Sequence, residues 1–175
     1  MKGSRTVLKT SWMGRLIRLS LTAHPNKIQE IARKELIKNV KPHDMTPKER
    51  LIFQCDYWEL QKKTEDSKKD FLSDRSLLDI LAYDLDIMKR KDVYAMLPRF
   101  VGRYDVLCYI PIEFPLIVDN VRFHDISYQH DIDYKIRNLL DSLQQLDQCL
   151  VVKTLKGTVE QRTNKLKDLI TNGVK

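Results

Sequence analysis

Apolar residues recur along this chain in short bursts with two different periods, and the periods divide it into alternating strands and helices. Arg5-Thr6-Val7-Leu8 reads as a first strand. Trp12, Leu16 and Leu19 follow at helical spacing, joined by Met13 and Ile17, so a helix is predicted from Trp12 to Leu21. His24-Pro25-Asn26 reads as a turn, because proline pushes the residue before it out of the helical region. An extended piece near Ile28 passes into a predicted helix from Ile31 to Val40. In Thr46-Pro47-Lys48-Glu49 a hydroxyl cap, a proline at the first helical position and a glutamate three residues after the cap announce a helix over 47–63. The polar run from Lys62 to Lys69 reads as a charged connection.

Phe71-Leu72-Ser73 is then a short buried strand, Ser76 to Met88 a helix, and Asp92 to Arg99 a further helix. Tyr104 to Ile110, "YDVLCYI", is the most strand-like run, rich in β-branched and aromatic residues. Pro111 and Pro115 break it, and "IEFPLIVDNVRFHD" reads as a long loop. A helix is expected from Asp125 to Leu146, with Ile126, Ile132, Ile136, Leu139, Leu140 and Leu143 on its buried side. "CLVVKTL" (149–155) is a last strand, Gly157 a turn, and Val159 to Ile170 a closing helix. Strands that alternate with helices argue for an α/β fold whose parallel sheet is covered on both faces. Ligands in such sheets sit at the carboxyl ends of the strands. Asp74, Arg75 and the loop after Ile110 fall there.

Composition narrows the partners. The 175 residues suit one domain, and 42% hydrophobic with 31% charged residues is ordinary for a soluble globular protein. No apolar segment approaches the roughly 18–20 residues needed to span a bilayer, so no membrane partner is expected. Cys55, Cys108 and Cys149 are widely spaced, which suits isolated buried thiols in a reducing cytoplasm rather than a metal knuckle or a disulfide framework. The net charge of +7 is concentrated in residues 1–50, which hold twelve Lys/Arg against four Asp/Glu. Such a basic segment could meet nucleic acid, an anionic membrane surface or a phosphorylated ligand, or be simply a solvated face. No acid precedes Glu30, a pattern compatible with a transit peptide and equally with a basic first strand and helix.

Asp74 and Arg75 are the first candidates for chemistry. A carboxylate at a strand end can orient a magnesium-bound water or accept a proton, and a neighbouring guanidinium can clamp phosphate oxygens. The competing structural reading makes Asp74 the N-cap of the next helix, with Arg75 paired locally. Glu30 and Arg33, three apart in "QEIARKEL", share one helix face, as a substrate contact or a surface ion pair. Arg122, in the long loop between Asp119 and Asp125, could close over a phosphorylated ligand or pair with either aspartate. His124 and His130 lack metal-ligand spacing and read as ordinary.

These residues also carry a resemblance. "FLSDRSLLDILAY" followed by "YDVLCYIPIEFPLIVDNVRFHDISYQHDIDYKIRNLL" resembles a family of small P-loop AAA-type ATPases, common in phages and bacteria. That family is related to nicotinamide-riboside kinases and, more distantly, to thymidylate and other deoxynucleotide kinases. "QEIARKEL" is similar to its Glu-x-x-Arg-Glu motif, and "VVKTLKGTVEQRTNKLKDLI" to its last strand, nucleotide-base loop and closing helix. The resemblance covers residues 20–172 in the family's order, with Asn120 where a glycine is more usual.

It implies a single P-loop kinase-like domain over 1–175, with a five-stranded parallel sheet and helices on both faces. It also implies ATP and Mg²⁺ as cofactors and a nucleoside or nucleotide as the phosphoryl acceptor. Asp74 would serve the metal or the acceptor hydroxyl, Arg75 and Arg122 the phosphates, and Glu30 and Arg33 the substrate. Gly157 and Thr158 would lie in the nucleotide-base loop.

Residues 1–20 depart from that pattern. A phosphate-binding loop needs G-x-x-x-x-G-K-[S/T] after the first strand, so that backbone N–H groups, a lysine and a hydroxyl surround the phosphates. "GSRTVLKT" (3–10) keeps the first glycine, Lys9 and Thr10, but leaves no room for a preceding strand. "KTSWMGRL" (9–16) sits after the right strand but keeps only Gly14, with Arg15 and Leu16 in place of lysine and Ser/Thr. Gly14 and Arg15 are therefore the nucleotide-binding candidates at this end. The alternatives are a non-catalytic pseudo-kinase that binds a ligand or partner, a frameshifted or misplaced start, and nucleic-acid binding through the basic first fifty residues.

Overall fold

The computed structural model describes residues 5–8, 26–28, 44–68, 71–87, 91–113 and 125–172. Five strands, β1 (Arg5–Leu8), β2 (Asn26–Ile28), β3 (Phe71–Asp74), β4 (Val106–Tyr109) and β5 (Val151–Thr154), pair in parallel in the order β2-β3-β1-β4-β5. The described helices are α1 (Pro47–Asp66), α2 (Leu77–Ile87), α3 (Ile126–Leu146) and α4 (Val159–Thr171), with a 3-10 helix at Lys91–Phe100.

Helices carry most of this fold. The four α-helices hold 20, 11, 21 and 13 residues, whereas no strand exceeds four. The expectation of a standard P-loop NTPase core dominated by a full five-stranded parallel sheet is therefore corrected. The described chain is mostly helical, and its strands form a narrow ribbon only three or four paired residues long. Two strand ends show why. β3 stops where Arg75 turns to a positive φ of 90°, and β4 stops just before Ile110-Pro111, where proline offers no N–H to a ladder.

Alternation along the strands sends neighbouring side chains to opposite faces. Phe71 and Leu107 join the larger apolar cluster, with Leu77, Leu81 and Ile80 of α2 and Ile132, Ile136 and Leu139 of α3. Leu72, Val106 and Cys108 face the other way, onto Leu166 of α4. Capping explains two helix starts: Thr46 and Glu49 satisfy one another's backbone N–H groups before α1, as Thr158 and Gln161 do before α4.

Four local readings change. α1 continues to Asp66, three residues past its expected end. Ile126, expected on the buried side of α3, is exposed. The helix expected at 92–99 is a 3-10 helix with Pro98 inside it. Cys55 and Cys149 are exposed rather than buried; Cys108 is buried, which pushes its thiol up to about 12, and all three are free. No described helix is long and apolar enough to cross a membrane.

Candidate functional site at the carboxyl edge of the sheet

β1 lies in the middle of the sheet with β3 on one side and β4 on the other, so the strand order reverses there. Such a reversal opens a crevice at the carboxyl ends of the strands. Leu8, at the end of β1, is level with Asp74 of β3 and Cys108 of β4. Asp74 and Arg75 thus stand directly beside the point from which the chain leaves β1. Both are half-buried, and neither is without an interaction partner. Among the described residues, Arg75 is the one non-glycine position with positive φ, at 90°. A non-glycine residue held there costs about 1–3 kcal/mol, and such outliers cluster at ligand sites.

Asp74 is not the cap of α2. That role belongs to Ser76: Asp79 Oδ2 accepts from the Ser76 N–H and Oγ–H, each at 2.8 Å, and the Asp79 N–H returns to Ser76 Oγ at 3.4 Å. With the cap supplied by Ser76 and Asp79, the Asp74 side chain is not needed to start α2.

A buried polar network lies behind the pair. Gln61 of α1 donates through Nε2 to Glu65 Oε1 (2.8 Å), to Ser73 Oγ (3.1 Å) and, more weakly, to the Arg75 carbonyl (3.4 Å). Tyr104 donates its hydroxyl to Glu65 Oε2 (3.0 Å) and accepts the Leu77 N–H (3.2 Å). Arg103 closes the network through Nε to Glu65 (3.0 Å) and through Nη2 to both Glu65 and Asp66 (2.9 Å each). Burial pushes the Glu65 carboxyl up, against the opposing pull of Gln61, Arg103 and Tyr104. Burial also holds the Tyr104 hydroxyl well above its ordinary range. Glu65 and Arg103 are members that sequence reasoning missed, because a glutamate in a charged run reads as solvated.

The other half of the edge is held by a clasp between the segments after β4 and β5. Glu113 Oε2 accepts from the Gly157 N–H at 2.8 Å and from Arg162 Nη2 at 2.5 Å. Gly157 has φ +98°, and a Cβ there would lie 2.2 Å from Gln161 Oε1, inside the Thr158–Gln161 capping box. Thr158 spends its hydroxyl on that cap. Next to the clasp, Tyr109 at the end of β4 donates to both oxygens of Asp133 (2.9 and 2.8 Å), and Asp133 also pairs with Arg137 (3.2 Å).

The clasp is expected to weaken in acid. The Gly157 N–H, and then Arg162, hold the Glu113 carboxyl below its ordinary range. A lowered carboxylate contributes stability that is complete above the ordinary range and is lost as pH falls through the lowered value. Urea unfolding of the native chain and of Glu113→Gln, compared from about pH 7 to about pH 3, should show the gap between their midpoints narrowing toward acid. A gap independent of pH would show that the ion pair is not responsible.

Gly14, Arg15, Glu30, Arg33 and Arg122 lie outside the described residues, as does His124. Asp74, Arg75, Gly157 and Thr158 are all placed on the carboxyl edge, Asp74 at the end of β3, Arg75 immediately after it and the others after β5. Among the described residues no group of three or more His, Cys, Asp or Glu side chains could hold a metal ion. A magnesium ion there would depend on Asp74 together with phosphate oxygens and water, a donor set that suits this cation.

No protein-family model matches the chain, and no curated protein sequence matches it. Among solved structures, a thymidylate kinase from Candida albicans is similar over 98% of this chain and 92% of its own, with a TM-score of 0.62 at 14% sequence identity. At that identity the likeness is one of fold. The chain's fold is remotely similar to that of this kinase.

Proposed function

We propose that this chain is a single domain that binds a phosphorylated nucleoside at the carboxyl edge of its sheet. There it would transfer the γ-phosphoryl of ATP to a nucleoside or nucleotide. The observation that carries the reading is the left-handed Arg75 beside Asp74 at the strand-order reversal. Strain of that kind persists only where the surroundings impose it, and a carboxylate–guanidinium pair is suited to metal-bound phosphate. The fold likeness to a thymidylate kinase supports the same ligand class.

In this reading Asp74 holds magnesium or receives the acceptor proton, while Arg75 and Arg122 bear on the phosphates. Glu30 and Arg33 meet the acceptor, and the Gly157 segment flanks the base. ATP would supply the phosphoryl group and Mg²⁺ would neutralise its charge. A second reading rests on a sequence observation: Arg15 and Leu16 stand where a phosphate loop has lysine and Ser/Thr. It keeps the binding and drops the transfer. Calorimetric titration with ATP and thymidine monophosphate, with and without Mg²⁺, together with an ADP-release assay, separates the two. Asp74→Asn should remove the magnesium dependence of ATP binding and, if turnover occurs, abolish it. If the full chain binds no nucleotide under either condition, both readings fail.

A further inference from the structure

We infer that Gln61 and Tyr104 are positioning residues that impose the left-handed turn at Arg75 and so fix the Asp74–Arg75 pair at the carboxyl edge. What the pair then does rests on the function proposed above; the positioning does not.

The peptide plane between Arg75 and Ser76 is pinned at both of its polar atoms. Its carbonyl accepts from Gln61 Nε2 on α1, and its N–H donates to Asp79 on α2. The next N–H, that of Leu77, is held by Tyr104 Oη. On the upstream side the same Gln61 nitrogen holds Ser73 Oγ. The backbone that leaves residue 75 is therefore assigned to partners on α1, α2 and Tyr104, while upstream the same amide holds the side chain of Ser73, and residue 75 must take the dihedral that joins them. Glu65 makes the arrangement rigid. One of its oxygens orients the Gln61 amide and the other the Tyr104 hydroxyl, so both clamps are set by one fully buried carboxylate.

Packing alone does not account for Gln61. Its side chain is fully buried, and among the described residues its Oε1 has no hydrogen-bond partner. An apolar side chain of similar length would fill the site without leaving a buried acceptor unsatisfied. An amide at this position makes physical sense as the group that holds two points of the β3–α2 turn.

The test compares glycine with alanine at position 75 in three backgrounds. Glycine accepts positive φ and alanine resists it, so urea unfolding should give Arg75→Gly a folded-to-unfolded ratio about tenfold above that of Arg75→Ala in the otherwise native chain. Combined with Gln61→Met or with Tyr104→Phe, the ratio should collapse to about threefold or less, because the turn is then free to relax. Tyr104→Phe keeps the ring and guards against a Gln61 variant that does not fold. A tenfold gap that survives in both backgrounds overturns the inference.

A second readout is affinity for thymidine monophosphate, which Gln61→Met should weaken about tenfold with unchanged far-ultraviolet circular dichroism. Affinity equal to that of the native chain would likewise count against the positioning. Absence of binding by the native chain would remove the proposed function instead, and the glycine–alanine comparison would still decide the positioning.

Discussion

Glu65→Ala is expected to lower the unfolding free energy by about 3–5 kcal/mol, the largest loss of any single substitution considered for this protein. The carboxylate has no solvent-exposed area, and it receives hydrogen bonds from Gln61, Tyr104 and Arg103. Truncation leaves a guanidinium that is 15% exposed with Asp66 as its remaining carboxylate among the described residues, and it strips the Tyr104 hydroxyl and the Gln61 amide of their common acceptor. An uncompensated buried charge and several unsatisfied donors cost more than the pair gained by forming. The same logic makes Glu65→Leu with Arg103→Met milder than Glu65→Ala alone, because no charge is then stranded. Urea unfolding of the three chains checks both statements. A Glu65→Ala loss below about 1 kcal/mol would mean that the network is hydrated and open, not buried.

Arg75→Gly should separate stability from binding. Relative to Arg75→Ala it removes the cost of a left-handed non-glycine residue, worth about 1–3 kcal/mol. Both substitutions remove the guanidinium, and with it the charge-assisted contact to phosphate that the proposed function assigns to it. Loss of such a contact corresponds to about 2–3 kcal/mol, or roughly a 30- to 150-fold weaker affinity for a phosphorylated nucleoside. Both variants should therefore lose affinity alike while differing in stability. A structural arginine would give the opposite pattern, with stability lost in both and affinity untouched in the variant that folds. Titration with thymidine monophosphate, run beside urea unfolding, distinguishes the two patterns.

How far the fold could be read from the sequence is clearest at α1 and β3. Thr46-Pro47-x-Glu49 placed the start of α1 correctly, because capping is local chemistry among four consecutive residues. Its end was misjudged by three residues, because Lys62 to Lys69 looks solvated until Arg103, 38 residues on from Glu65, is folded against it. β3 was legible from Phe71-Leu72-Ser73, and the pair that follows it was legible as a pair of charges at a strand end. Its backbone conformation was not, since positive φ at an arginine follows no local propensity. The cap of α2 was likewise not legible: the sequence reading considered Asp74 for it, and the structure gives it to Ser76. Only the contact with Asp79 decides it.

At the far edge, Gly157 was readable as a turn, yet Glu113 gave no sign that it would hold that turn from 44 residues away. The weight given to the sheet was the larger error. Alternating apolar bursts reveal the number and order of strands, but not how soon each strand stops. That depends on Arg75 and on the proline that follows Ile110.

By itself, then, the sequence determined what short-range physics can determine: helix starts, the apolar faces of α2 and α3, and a carboxylate and guanidinium placed at a strand end. It also determined that the register after the first strand, residues 9–16, has Arg15 and Leu16 where a phosphate loop has lysine and Ser/Thr. Tertiary structure alone decided that Glu65 is an interior ion, that Gln61 and Tyr104 meet the backbone around Arg75, and that Asp74 stands level with the end of β1. These facts depend on contacts between residues dozens of positions apart. A charged side chain carries no local mark of whether folding will place it in water or against its partner.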